Sequence, residues 1–313
     1  MAIETGSKSR ILVIGATGTL GRELVRASLA AGHSTFALVR EPTFTDPQKS
    51  LLLRSFAANG VTLLKGSLQD FQSLLEAVKQ VDVVICAVPS KQTLDQKLLI
   101  EAIKEAGCIK RFVPSEFGAD PDKVQILGMD HGHYEMKIEI RRCIENEGIP
   151  YTYISCNFLM RYLLPSLVQP GLNAPPRDEI KIFGDGNVKA VSLMDIDVAT
   201  FTICTIDDPR TLDMVLYLRP PGNVYSMNEL VEMWEMKIGK MLEKVYIPEE
   251  QLLRIIQEAP FPFNMLLAVN YLVFVKGDTA NIQIEPSVGV EASELYPDVK
   301  YTSVEEYLSR VIQ

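Results

Sequence analysis

Residues 10–21 read RILVIGATGTLG, and their reading decides the fold. Arg10 to Ile14 is a short apolar, β-branched run. Gly15-Ala16-Thr17-Gly18-Thr19-Leu20-Gly21 follows it directly, and an amphipathic stretch over residues 22–31 follows that. Strand, glycine turn and helix in that order form a phosphate-cradling turn. Its glycines permit a tight bend, close approach of a pyrophosphate and close helix packing. The helix start then offers free N–H groups and the positive end of its dipole. Glycines also mark ordinary βα turns, but here the flanking pattern favours the nucleotide reading. Gly15, Thr17, Gly18, Thr19, Leu20 and Gly21 are therefore expected to bind a dinucleotide.

Working outward, similar apolar runs start at Ser34, Val61, Asp82, Lys110 and Tyr151. Helix-like segments lie between them, over residues 46–58, 71–79, 93–106 and 136–147. Strands alternating with helices imply βαβ units and a parallel sheet. Runs without alternation fit strands covered on both faces. The expected fold is α/β, a Rossmann-type doubly wound parallel sheet over residues 1–160. Beyond Tyr162 the rhythm loosens. Residues 170–179 form a Pro-rich loop, 180–187 a strand and turn, and helical patterns return over 194–206, 227–238, 249–258, 263–275 and 304–312. Residues 161–313 are expected to form a smaller, mainly substrate-binding lobe that can return strands to the main sheet.

The end of the second strand selects the cofactor. A site for NAD usually carries a carboxylate there. This chain has Arg40, whose guanidinium suits a 2′-phosphate, and Lys49 can add a second charge. Pairing of Arg40 with Glu41 in solvent is the alternative. The expectation is NADP(H).

The bulk numbers narrow the function. A net charge of −9 over 313 residues argues against nucleic acid and anionic membrane surfaces as partners. No apolar run approaches the ~20 residues that span a bilayer, and ILVIG is too short for a signal-peptide core. Cys86, Cys108, Cys143, Cys156 and Cys204 are odd in number and scattered. Reduced thiols in a cytoplasmic protein are the expectation. His131 and His133 form an H-x-H pair with no evident third ligand, so no metal is expected.

Longer strings carry a resemblance: IGATGTLG, HSTFALVRE, VKQVDVVI, EAIKEAG and IKRFVPSEFG, EGIPYTY, GDGN, and GVEASELYPDVKYT. Together, and in this order along nearly the whole chain, they resemble the plant phenylpropanoid reductases. These comprise phenylcoumaran benzylic ether reductases, pinoresinol/lariciresinol reductases and isoflavone reductases, an atypical short-chain dehydrogenase group. The match looks nearest to the phenylcoumaran and isoflavone branch, with leucoanthocyanidin reductases and eugenol synthases farther off.

The resemblance implies NADPH as cofactor and a lysine after Ser115-Glu116-Phe117-Gly118 as the base. Lys137 matches that position, although by spacing alone it reads as a solvated helix residue. The ordinary Tyr-x-x-x-Lys pair occurs only as Tyr296 and Lys300, with Pro297 inside it, and reads as coincidence. The resemblance further implies cofactor contacts from Ala87, Val88, Pro89, Gln92, Ser115, Phe117, Lys137 and Asn157. It implies substrate contacts from Phe158, Leu159, Tyr162, Met129 and His133. Phe158-Leu159 stands where the family has Cys-Phe, and residues 126–136 also depart from its pattern. Both departures touch substrate choice more than cofactor choice.

The implied partner is a small lignan, neolignan or isoflavonoid phenol, and a homodimer is an admissible assembly. The implied chemistry is loss of the phenol proton to Lys137, expulsion of a benzylic ether oxygen, and hydride transfer to the resulting quinone methide. Such a base works as the neutral amine, so burial is expected to pull Lys137 below its ordinary range. Pinoresinol/lariciresinol or isoflavone reduction on the same scaffold, and a non-catalytic NADP-binding redox sensor, are the competing readings.

Overall fold

The computed structural model describes residues 8–124, 131–277, 279–280 and 282–312. It opens with β1 (Arg10–Ile14), α1 (Thr19–Ala30), β2 (Ser34–Val39), α2 (Glu41–Thr45), α3 (Pro47–Ala58), β3 (Thr62–Lys65) and α4 (Phe71–Val78). Next come β4 (Val83–Cys86), α5 (Gln96–Ala106), β5 (Arg111–Val113), α6 (His133–Asn146) and β6 (Thr152–Ser155). The expected helix over residues 93–106 starts later, because Ser90–Gln92 forms a tighter 3-10 turn ahead of it.

Strands β3, β2, β1, β4 and β5 form one parallel sheet in that order. A parallel bridge from Phe112 to Tyr151 carries the order on to β6. The chain thus reverses direction across the sheet between β1 and β4, and in open α/β sheets ligands bind outside the strand ends at that point.

Alternation along β1 shows why its run is apolar throughout. Ile11 and Val13 enter a core with Leu24, Val25 and Phe201. Leu12 and Ile14 enter another with Leu74, Leu99 and Ile140. Both faces are covered, so the sheet is doubly wound, as the sequence leads one to expect. Asp46 starts α3 by accepting from the backbone N–H of Gln48 and Lys49, an N-cap arrangement that relieves orphan donors.

The second half contains β7 (Phe158–Leu159), α7 (Met160–Leu163), β8 (Glu179–Phe183), β9 (Ala190–Leu193), α8 (Asp195–Cys204), β10 (Met214–Tyr217), β11 (Val224–Tyr225) and α9 (Met227–Ile238). Then follow β12 (Glu243–Ile247), α10 (Glu249–Glu258), α11 (Phe263–Tyr271), β13 (Gly289–Glu291), α12 (Ala292–Leu295) and α13 (Val304–Val311). Strand β10 pairs parallel with both β6 and β13, so these late strands extend the sheet begun in the first half. Helix α8 packs on α1. Residues of α7, β8, α9, β12, α10, α11 and α13 gather around a separate core that holds Trp234, Tyr271 and Phe274. Strands β8 and β12 pair parallel at its edge. Helix α11 ends at Tyr271, four residues short of the expected end, and continues as a wider turn over Leu272–Lys276.

Candidate active site

The glycine turn is fixed by contact. Gly15 sits at φ +84°, and a Cβ there would lie 2.2 Å from the Ala87 carbonyl oxygen. A Cβ at Gly21 would lie 2.1 Å from the Gly15 oxygen. Only glycine lets the turn, the end of β4 and the first turn of α1 approach so closely. Gly18 caps α1 without a side-chain hydrogen bond, so the cap residue supplies no side-chain acceptor for the first N–H groups of the helix.

A cavity of about 880 Å³ opens beside this turn, between the C-terminal ends of the sheet strands and the second core. Gly18, Thr19 and Leu20 enter it from the turn, and Ala87, Val88 and Pro89 from the end of β4. Ser115, Phe117, Lys137 and Asn157 line it from the following loops and α6. Phe158, Leu159, Tyr162 and His133 also line it. Gly15, Thr17 and Gly21 belong to the same turn but are not among the lining residues. Gln92 lies in the neighbouring 3-10 turn, where its amide meets Asp95. Arg40 and Lys49 are exposed at the starts of α2 and α3, away from the cavity wall. Met129 falls outside the described residues, and the 126–136 segment is described only from His131 onward.

The loop after β5 is stitched in place from three sides. Ser115 Oγ donates to the Val88 carbonyl and accepts from the Val88 N–H, both at 2.9 Å. Its backbone N–H donates to Gln96 Oε1 at 2.7 Å. Glu116 turns inward, and the Arg141 guanidinium grips its carboxylate at 2.9 and 2.5 Å. Arg141 also reaches Asp120 and Asp122, and Tyr217 donates to Asp120 at 2.5 Å. Burial alone would lower Arg141, but the Glu116 and Asp120 carboxylates outweigh it and hold the guanidinium well above its ordinary value.

Lys137 is 6% exposed. Its amine donates to the Glu116 carbonyl at 2.7 Å and lies 5.3 Å from the Tyr134 ring centroid. The solvated-face reading of this lysine therefore gives way to a buried one. Asn157 is held at φ +57° and donates from Nδ2 to the Leu218 carbonyl, while its Oδ1 is buried without a partner among the described residues. His133 is held far below its ordinary range, to about 3, by burial first and by the Lys137 charge second. Among the described residues no group of three or more His, Cys, Asp or Glu side chains could hold a metal ion. Tyr296 gives its hydroxyl to Asp208 at 2.9 Å and does not line the cavity.

A profile of the NmrA-like family matches residues 7–308. The chain belongs to the NmrA-like family. Over 309 residues it is 59% identical to a probable pinoresinol-lariciresinol reductase of Arabidopsis thaliana, covering 99% of each chain. It is 57% identical to a phenylcoumaran benzylic ether reductase of Ginkgo biloba, over 97% of this chain and 99% of that one. It is 58% identical to a eugenol synthase of Petunia hybrida, over 96% and 98%. Eugenol synthases are thus as near as the phenylcoumaran branch, which corrects the expectation that they lie farther off. Among solved structures, an isoflavone reductase superposes with a TM-score of 0.94 at 46% identity, covering 97% of this chain and 99% of that one. A protein solved with NADP+ and (+)-pinoresinol superposes at 0.91 and 39% identity, covering 98% and 99%.

The residues of this NmrA-like chain fit a dinucleotide. The turn at Gly15 leaves a cradle that a Cβ would fill, α1 begins without a side-chain cap, and Asn157 Oδ1 is an unclaimed acceptor. Glu41 pairs with Lys65 at 3.0 Å. Arg40 makes no ion pair among the described residues, so the expected alternative of an Arg40–Glu41 pair does not form.

Sequence reasoning missed several wall residues. Gly171 and Asn173 reach the cavity from the segment read only as a Pro-rich loop, Gln169 from just ahead of it, and Asn270 from α11. Arg161 also lines it. It pairs with Asp195 and stacks at 4.4 Å on the Tyr162 ring. The one usable signal was an arginine between Met160 and Tyr162 in an otherwise apolar run.

Proposed function

We propose that this NADPH-dependent oxidoreductase opens a benzylic ether of a phenolic phenylpropanoid dimer, with Lys137 as its proton-transfer group. One observation carries the reading. A buried lysine amine lines the cavity beside the glycine turn and donates to the backbone carbonyl of Glu116. As a neutral amine it would keep a lone pair for the substrate while one N–H stays on Glu116.

Lys137 takes the phenol proton, and the freed electron pair moves through the ring and expels the benzylic ether oxygen. That oxygen takes a proton from water, and the substrate becomes a quinone methide. When bound, the cofactor supplies hydride to the benzylic carbon. The regenerated phenolate then recovers its proton from Lys137. Gly15, Gly18 and Gly21 would seat the dinucleotide, and the N–H groups at the start of α1 would suit its pyrophosphate. Arg40 and Lys49 would hold the 2′-phosphate, and Gln92 would support the ribose. Apolar wall residues such as Leu163 and Met265 receive the aryl rings. In this reading residues 1–160 bind the cofactor and 161–313 mainly shape the substrate site, in a cytoplasmic protein. Among the described residues no helix is long and apolar enough to cross a membrane.

The names of the relatives support a second reading on the same scaffold, reduction of a monomeric phenol as in the eugenol synthases. NADPH consumption with dehydrodiconiferyl alcohol, pinoresinol, lariciresinol, an isoflavone and a monomeric phenolic separates them. Turnover of a benzylic ether dimer supports the main reading. Turnover only of the monomer supports the second, and no turnover of any supports a redox sensor.

A further inference from the structure

Helix α6 begins at His133, and Lys137 follows one turn later. Residues four apart share a helix face, and both of these side chains line the cavity. Nδ1 of His133 is buried and has no hydrogen-bond partner among the described residues. The ring stands edge-on to Tyr134 with centroids 5.1 Å apart. Burial, the larger cause, keeps the imidazole neutral at working pH. A neutral imidazole offers one donor and one acceptor, and an unpaired buried nitrogen is costly until something pairs with it.

A hydroxyl both donates and accepts, so it satisfies either ring nitrogen in either tautomer. A carboxylate only accepts, so it could pair with the ring N–H alone and would find no ion pair in an uncharged ring. We propose that His133 selects the substrate by hydrogen-bonding an uncharged phenolic hydroxyl brought in beside Lys137. This rests on the reductase reading only for the class of molecule in the cavity. Lys137 moves the proton, and His133 distinguishes a free phenol from its ether.

The test is binding, without turnover, to the NADP+-loaded protein. The probes are eugenol, a free phenol, and methyleugenol, its O-methyl ether. Wild type is expected to prefer eugenol. His133→Leu should weaken eugenol about tenfold, the size of one good neutral hydrogen bond, and leave methyleugenol within about twofold. His133→Asn, which keeps an amide near the Nδ1 position, should recover most of the loss. Circular dichroism and NADP+ affinity check each variant, and His133→Phe replaces His133→Leu if the latter does not fold. Unchanged eugenol binding in the leucine variant overturns the proposal. So does an equal loss for both probes, which would mean packing alone, or a wild type without preference. Failure of every substrate in the NADPH-consumption panel would sink the reaction reading while leaving this result standing.

Discussion

The Lys137 amine donates to the Glu116 carbonyl across 2.7 Å. One helical turn farther along α6, Arg141 holds the carboxylate of the same glutamate, and both of these partners are almost fully buried. The loop after β5 and Lys137 are therefore set by one residue gripped at both ends. A shift of that loop would move the amine with it.

Removing one partner of a buried ion pair leaves the other uncompensated, at a typical cost of about 3–5 kcal/mol. Arg141→Met should lose about that much stability in urea unfolding. It should also lower turnover through displacement of Lys137. A loss below about 1 kcal/mol, the range of a surface pair, would show that the network is dispensable.

Gly15→Ala places a methyl 2.2 Å from the Ala87 oxygen, at φ +84°. The turn must open, and NADPH affinity should fall by at least about tenfold, one factor of 1.4 kcal/mol. Gly32→Ala is the control, since Gly32 has φ +80° and nothing within 4 Å of an added Cβ. It should lose stability through backbone strain and keep its NADPH affinity in a fluorescence titration. Similar affinities for both variants would contradict the contact argument.

Local features were the legible ones. The strand, glycine turn and helix of residues 10–31 are decided by backbone sterics and by an apolar run, and both are visible in one chain segment. Strand β10 was not legible, because Met214–Tyr217 is too short to show a period and its partners are 62 and 74 positions away, as in Met214 with Thr152 and Val215 with Gly289. Strand β12, EKVYI, hid because its edge position tolerates charge. In the site, Lys137 was legible only through resemblance. The grip of Arg141 on Glu116 spans 25 positions and that of Tyr217 on Asp120 spans 97, and no local pattern encodes such pairings. The cavity wall from residues 169–173 and α11 likewise arises only when the second core packs.

Arg40 is exposed and makes no ion pair among the described residues, which suits a group awaiting a phosphate. NADPH should bind far more tightly than NADH, and Arg40→Ala should narrow that gap by roughly tenfold or more, as expected for a charge-assisted contact. Calorimetric titration of both nucleotides decides it. Equal affinities in the wild type would rule out the assigned role.

Asp197 is buried, and desolvation lifts its carboxyl to about 6, against the backbone N–H of Thr302 and the charge of Arg310. A carboxyl raised in the folded state binds its proton more tightly there than in the unfolded chain. Its contribution therefore grows as pH falls from above 6 toward 3.8, and it opposes folding near neutrality. The gain in Tm of Asp197→Asn over wild type should thus be larger at neutral than at mildly acidic pH. A difference independent of pH would contradict the assignment.

The most direct test of the central claim is single-turnover reduction by Lys137→Ala beside an NADPH titration, on a substrate that the wild type turns over. General acid–base assistance contributes about 10²–10⁴ in rate. The alanine variant should lose a factor of that size while staying folded and binding NADPH through the untouched glycine turn. A variant that reduces the substrate at the wild-type rate would contradict the mechanism.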